Sequence, residues 1–489
     1  MPLDLLLVNP GGRATIYQGL GTDLTAVEPP LWCRLIAGYC HDMGWAVEIL
    51  DTEAENIGPE RAAEIVQQRN PTLVGMIVFG HQPSASTQQM VSAGEICRAI
   101  KAAEPKRRII IAGGHVAALP ERTMHEEPVD YACTGEGPVT IEQLLRCLSE
   151  SGSPKIVEGL VWRDGDLCQV NPPAPLMNVT ELHGDVWNLL PMGQYRAHNW
   201  QCFDGSPRQP YASIMTSLGC PYRCNFCMIN SPFVASTGGK HLYRMRDPAR
   251  VVAEIDGLYR RYKVTTFKII DEMFVLADRH VRAICEGLAA LPYSRDLNIW
   301  AYARIDTIKP AQLGLLRRAG IRWLALGIES GSAHVRDGAE KSLDEFDIVT
   351  AVRAVQAAGI NVLGNFIFGL PDDTFESMHE TLDLAAELKC DFANFYSCMS
   401  YPGSALYAAT PEADRPKAWS GYSQHSFDCT PMPTATLTSA QVLDFRDKAF
   451  HTYFESQRYR RHVLSKFGKA AFAEIERMTA YKLPRALTP

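Results

Sequence analysis

The chain has 489 residues, 46% of them hydrophobic and 21% charged, with a net charge of −7 and 14 cysteines. That is too long for one ordinary core and apolar enough for two or three, so a multidomain globular protein is expected. The acidic balance speaks against a nucleic-acid footprint, no apolar run approaches the roughly 18–20 residues of a membrane span, and cysteines scattered over so long a chain speak against a disulfide framework.

The start, Met1-Pro2-Leu3-Asp4, lacks the basic stretch of a secretory signal, so a cytoplasmic location is expected, with a small-molecule or peptidic substrate and no nucleic acid as partner. Leu5-Leu6-Leu7-Val8-Asn9-Pro10 is a short apolar run that ends in a glycine-rich turn, as a buried parallel strand does. Runs at 46–51, 73–78 and 108–114 repeat the pattern, and helical periodicity at 32–43, 59–69 and 86–103 separates them. This alternation predicts a doubly wound, Rossmann-like α/β domain over 1–150. Ligands bind such sheets at the carboxyl ends of the strands, so the loops 9–12, 80–84, 113–120 and 134–138 should share one rim. Gly113, Gly114 and His115, with Gly135, Glu136 and Gly137, suit that rim, because a backbone without Cβ atoms can approach a flat, bulky ligand. Tight strand-to-helix turns would use the same glycines.

Residues 151–210 change character: Ser-Gly-Ser-Pro, Asn-Pro-Pro-Ala-Pro and an Asp164-Gly165 turn between short apolar flanks predict a linker carrying a small hairpin. After the strand-like Ala212-Ser213-Ile214-Met215 come Cys220, Cys224 and Cys227, spaced C-x3-C-x2-C. Three thiolates on one loop can hold three irons of a cubane and leave the fourth open to a non-protein ligand. A zinc knuckle would need a fourth nearby ligand, and no Cys or His follows before His241; buried structural thiols are the remaining alternative. Further strand-like runs end in Asp271-Glu272, Arg304, Glu329-Ser330, Gly369-Leu370-Pro371 and Tyr401-Pro402-Gly403, which predicts βα units over 211–410 with functional residues at the strand ends. Thr438 to Met478 has a helical pattern, and 411–489 is expected to be a helical cap over the barrel mouth or a packing appendage.

Two sets of strings carry a resemblance. Pro29-Pro30-Leu31, the Gly-Gly-His-Val-Ala-Ala-Leu-Pro-Glu at 113–121 and the Thr-Gly-Glu-Gly-Pro at 134–138 resemble the cobalamin-binding domains that precede many radical S-adenosylmethionine (SAM) domains. The cysteine triplet, with Phe226 before its third member, and the strand-end strings from about 211 to 407 resemble the partial (β/α)6 TIM barrel of the radical SAM superfamily. Together they resemble the cobalamin-dependent (class B) family. That resemblance implies a 4Fe-4S cluster on the three cysteines, SAM chelated to its open iron, cobalamin in the N-terminal domain and an electron donor such as flavodoxin or ferredoxin. It implies that Glu272 lies near the SAM amino group, Arg304 near its carboxylate, and Glu329 and Ser330 near the methionine or ribose. The Asp-x-His-x-x-Gly signature of some cobalamin domains is absent, and Asp278-Arg279-His280 ends in Ala283, so cobalt is expected without that histidine ligand. His81 is the candidate for the lower side of cobalt, beside its reading as an ordinary loop histidine. Methylation of an unactivated carbon through a 5′-deoxyadenosyl radical and methylated cobalamin is the activity implied; oxidative cyclisation or rearrangement, and a non-catalytic iron-sulfur sensor or scaffold, are the alternatives. A methylthiotransferase would carry three more cluster cysteines, a pattern that Cys33, Cys40, Cys97 and Cys133 do not form.

Overall fold

A run that is apolar at every position needs cover on both faces. In the computed structural model, which describes residues 2–80, 82, 84–341, 343 and 347–488, β1 (Leu5–Asn9) accordingly lies inside a sheet. β2 (Val47–Asp51) and β3 (Leu73–Ile77) flank it in parallel, and β4 (Ile109–Ala112) and β5 (Tyr131–Cys133) continue in parallel beyond β3. Leu5 and Leu7 enter one apolar layer and Leu6 and Val8 the other, with α1 (Leu31–Asp42), α2 (Pro59–Arg69), α3 (Ala85–Ala103) and α4 (Pro138–Ser149) supplying the cover.

One departure concerns the hairpin at 160–170. It is not a free linker element: β6 (Leu160–Asp164) pairs antiparallel with β5, and β7 (Leu167–Val170) with β6, completing the order β2-β1-β3-β4-β5-β6-β7. Three residues of β5 leave an open sheet edge, and the hairpin satisfies its backbone groups.

The second sheet is parallel throughout: β8 (Tyr211–Ile214), β9 (Thr266–Ile269), β10 (Asn298–Arg304), β11 (Ile321–Glu329), β12 (Asn361–Phe368) and β13 (Phe392–Ser397) pair in chain order. Intervening helices α5 (Pro248–Tyr262), α6 (Asp278–Ala289), α7 (Pro310–Arg318), α8 (Ile348–Ala357) and α9 (Phe375–Leu388) make it a six-stranded partial barrel. Their starts are marked locally: the Asp247 side chain accepts from Ala249 N, and Thr374 and Ser377 form a capping box.

The C-terminal helices α10 (Ser439–Glu455) and α11 (Gln457–Thr479) do not form the expected lid. Arg446 Nε donates to Phe395 O at 2.8 Å, Tyr459 OH donates to Asp391 O at 2.9 Å, and Phe467 stacks on Trp323 at 6.0 Å. These contacts follow β13 down to the amino ends of the strands, away from the mouth. The reason is again an edge: β13 closes an incomplete barrel, Tyr453 and Phe454 cover its Phe395 and Phe392, and Phe445 packs on Phe368 at the end of β12.

Buried ion pairs pin the two α/β units together. Lys268 of β9 meets Glu28 at 3.0 Å, and Arg34 of α1 donates to Ser213 O at 2.9 Å and pairs with Glu254 at 3.3 Å, its guanidinium 3.6 Å above Trp187. Among the described residues no helix is long and apolar enough to cross a membrane.

Candidate active site

Past β8 the chain enters the cysteine loop, whose start is fixed by Asp271 at the end of β9. This buried carboxylate accepts from Thr216 N and Ser217 Oγ, both at 2.6 Å. Gly219 follows at φ +85°, where a Cβ would lie 2.3 Å from Leu242 O, so the turn requires glycine. Asn230 Nδ2 donates to Cys220 O at 3.0 Å, and Asn225 donates to Ala339 O and Gly338 O at 3.3 and 2.9 Å. The loop is thus strapped on both sides.

Cys220 and Cys224 are half-buried, and Cys227 is exposed and lines a cavity. Burial pushes the Cys220 thiol up to about 11 and the Cys227 thiol up to about 12, and raises Cys224 as well. Metal binding has to displace those protons. Among the described residues no three His, Cys, Asp or Glu side chains converge on a single ion. A cubane asks for something else, three thiolates at three separate corners, and a soft, all-sulfur trio on one strapped loop fits it.

The cavity, of about 350 Å³, lies between the mouth of the barrel and the carboxyl edge of the N-terminal sheet. Glu272 lines it. Its Oε2 is buried and has no hydrogen-bond partner among the described residues, and burial pushes the group up to about 8. An orphaned carboxylate at a cavity wall fits a cationic ligand group. Arg304 also lines the cavity but is already engaged: it forms a fork with Asp306 (2.9 and 3.0 Å), directs Nη1 at Cys224 Sγ (3.7 Å) and lies 4.0 Å over the Tyr222 ring.

Glu329 reaches the cavity through a distortion. The β11–β12 register slips between Gly327 and Glu329, and Glu329 takes a left-handed φ of +65°. Its carboxylate pairs with Lys341, another cavity residue, directly over Gly327. Ser330 is fully buried, bonded to Thr381 Oγ1 at 3.1 Å and to Ser332 N at 3.2 Å, and does not line the cavity. Phe226 does.

The N-terminal rim is arranged differently. Gly114 lines the cavity, and a Cβ there would meet only the flexible end of Met228, at 3.1 Å. Gly113 is dictated by packing: its Cβ would lie 2.3 Å from Val78 O. His115 is buried, bonded to Thr87 Oγ1 (3.2 Å) and edge-on to Trp419 (4.4 Å), and burial lowers it to about 3. Glu136 pairs with Arg244 at 2.6 Å, a further bridge to the cysteine-bearing unit, while Gly137 at φ +107° starts α4 and a Cβ on Gly135 would lie 3.9 Å from Pro232 O. These four residues do not line the cavity. His81 lies outside the described residues. The wall this domain presents is mostly apolar or backbone, from Leu31, Trp32, Phe79, Gly80 and Gly114, with Trp32 stacked on Phe79 at 4.2 Å, and Gln82 and Ser84 add two polar side chains. Such a wall fits the face of a large, flat macrocycle.

Sequence reasoning missed Lys341, Asp306 and Gln424, and it placed Asp271 at a strand end without its role in fixing the cysteine loop. Lys341 stands in a polar stretch with no strand or helix signal. Gln424 stands in a loop, yet its side-chain amide pairs with the Ser397 peptide (2.8 Å each way) and reaches the cavity.

Comparison with known proteins agrees with the geometry. Residues 17–145 match the B12 binding domain, and 214–385 match the radical SAM superfamily. An uncharacterized methyltransferase of Pyrococcus horikoshii is 29% identical over 92% of both chains. The anaerobic magnesium-protoporphyrin IX monomethyl ester cyclase of Cereibacter sphaeroides is 23% identical over 96% of this chain and 76% of its own. Among solved structures, the radical SAM methyltransferase TsrM of Kitasatospora setae, with cobalamin and a [4Fe-4S] cluster bound, is similar with a TM-score of 0.64, 21% identity and coverage of 83% and 74%. The cobalamin-dependent radical enzyme OxsB is similar with a TM-score of 0.68, 16% identity and coverage of 98% and 71%.

Proposed function

This chain belongs to the cobalamin-dependent radical SAM family, and we propose that within it the protein is a methyltransferase acting on an unactivated carbon of a small-molecule or peptidic substrate. The observation that carries the reading is the shared cavity, walled on one side by the cysteine loop and Glu272 and on the other by the largely apolar rim of the N-terminal sheet. When bound, the cluster supplies the electron that cleaves SAM to a 5′-deoxyadenosyl radical, and cobalamin carries the methyl group.

The chain's own residues have the following tasks. Cys220, Cys224 and Cys227 hold the cluster. Glu272 orients SAM through its ammonium, the charge-assisted contact its orphaned oxygen lacks. Trp32, Phe79 and the bare backbone at Gly114 pack against the corrin. The interdomain ion pairs hold the two half-sites in register and exclude water. Electrons come from a flavodoxin- or ferredoxin-like donor in the cytoplasm.

The cyclase relative, matched over nearly the whole chain, supports a second reading, oxidative cyclisation on the same two cofactors. One assay separates the two. With reconstituted cluster, hydroxocobalamin, SAM, a strong reductant and candidate substrates under anaerobic conditions, a methyltransferase forms 5′-deoxyadenosine and S-adenosylhomocysteine together. 5′-Deoxyadenosine alone, with bound cobalamin, would favour the cyclase; neither product would leave a non-catalytic iron-sulfur protein.

A further inference from the structure

A second cavity, of about 330 Å³, lies between α5 and the linker segment 183–187, and it shares no residue with the cavity described above. Along α5, Arg250, Glu254, Gly257 and Arg261 recur at intervals of three and four and so fall on one face, and Arg246 stands just before the helix begins. Three guanidiniums thus line one small space. Gly257 keeps it open, since a Cβ there would meet nothing within 4 Å.

The carboxylates of the lining do not match these cations. Glu254 is divided between two buried guanidiniums, with Oε2 2.7 Å from Arg246 and Oε1 3.3 Å from Arg34. Burial lowers Arg34 to about 10, and Arg246 pushes it the same way. One carboxylate for two buried cations leaves charge uncompensated, which is costly away from water. Arg246 is only 6% exposed and spends Nη1 alone, on Glu254 and on Met215 O at 2.8 Å; among the described residues its Nε and Nη2 have no partner. Neither atom is sealed inside the protein, so this free edge is what Arg246 presents to the cavity. Arg250 uses one N–H on Thr180 O at 2.9 Å and Arg261 lies 5.8 Å from the Tyr262 ring; among the described residues neither has a carboxylate within 4.0 Å. His183 offers no free donor, with Nδ1 accepting from Asp185 N and Nε2 on Asp42, both at 2.9 Å. Asp185 is exposed, where water screens its charge.

We infer that this cavity is a binding site for a diphosphate group, with one end on the free edge of Arg246 and on Arg250 and the other on Arg261. Guanidinium edges match phosphoryl oxygens in pairs. Arg250 and Arg261 stand about 16 Å apart along the helix axis, a spacing that suits an elongated anion better than a single ion. The site is independent of the reaction in the main cavity but is tied to its frame. Arg246 N donates to Thr216 O at 2.9 Å, at the entry to the cysteine loop, and Glu254 and Arg34 lead to α1 of the N-terminal domain. A bound diphosphate therefore braces the junction of the two units.

The test titrates inorganic diphosphate by calorimetry into the full chain loaded with cluster, cobalamin and SAM in the absence of reductant, with melting curves alongside. One equivalent should bind and raise the melting temperature with concentration. Arg250→Ala and Arg261→Ala, both at exposed positions, should each weaken binding by about tenfold or more. Gly257→Glu, which sets a carboxylate in the open space, should abolish it while the unliganded protein melts as the wild type does. ADP serves as a second probe: tighter binding than diphosphate assigns the group to a nucleotide and equal binding to the inorganic ion, and both results support the site. A wild type that binds no diphosphate, or Arg250→Ala, Arg261→Ala and Gly257→Glu variants that bind it as the wild type does, would overturn the site. Succinate binding as tightly as diphosphate would overturn the phosphoryl assignment.

Discussion

The two rims that face each other across the cavity recognise ligands by different means. On the barrel side polar side chains line the cavity with valences left open: among the described residues the Glu272 oxygen has no partner, and Lys341 has one. On the N-terminal side the polar residues among the glycines of the later strand-end loops are already spent, and only Gln82 and Ser84 bring polar side chains to the cavity. His115 is bonded to Thr87 and packed on Trp419, Glu136 is locked to Arg244, and most of what reaches the cavity is apolar surface and bare backbone. A zwitterionic ligand such as SAM is held by a few charges, whereas a corrin ring is held by area. Polar residues on the N-terminal rim should therefore govern stability, and those on the barrel rim should govern affinity and rate.

Several substitutions would break or sharpen that contrast. The largest effect is expected from Cys224→Ala, which removes one corner of the cluster and should reduce 5′-deoxyadenosine formation to background, with bound cobalamin retained. Next, Gly114→Phe places a ring in the cavity and should abolish cobalamin binding, read from the absorption spectrum, with SAM cleavage surviving; loss of both activities together would break the separation of the rims. Glu272→Gln should weaken SAM by about ten- to hundredfold in equilibrium binding and leave cobalamin stoichiometry unchanged.

On the N-terminal rim the same kind of change should appear in melting curves. Glu136→Gln leaves Arg244 without its buried partner and should cost about 3 kcal/mol of stability, with SAM affinity unaltered. His115 gives the smallest effect and a definite sign. Its folded value, about 3, lies below its ordinary 6.5, so the unfolded chain takes up the proton first. Its contribution is constant above about pH 6.5 and is lost as pH falls below that, by about 2 kcal/mol at pH 5. His115→Gln should flatten the acid limb of the stability profile without changing cobalamin binding at neutral pH.

The same contrast explains what could be read from the sequence. Strands such as Leu5–Asn9 and Leu73–Ile77 were legible because burial on both faces forces nearly unbroken apolar runs, and the cysteine loop because a cubane fixes ligand type and spacing. β5, with three residues, carries too little pattern to announce the sheet edge that captures the 160–170 hairpin. The helices along β13 were legible as helices but not in their place, since only the fold shows which edge needs cover. Glu272 could be singled out by its position after a strand. Lys341 could not, because the slip at Gly327 that brings Glu329 to it leaves no periodic trace. His115 and Glu136 attracted notice as polar residues among glycines, a pattern that packing and ion pairing produce as readily as ligand binding.

The central claim is that one cavity serves both cofactors, and pulsed EPR on the protein loaded with reduced cluster and Co(II) cobalamin tests it most directly. A cavity shared by the two rims predicts a resolved dipolar coupling between the two paramagnets, lost in Gly114→Phe. Two unperturbed, independent spectra from a fully loaded protein would contradict it.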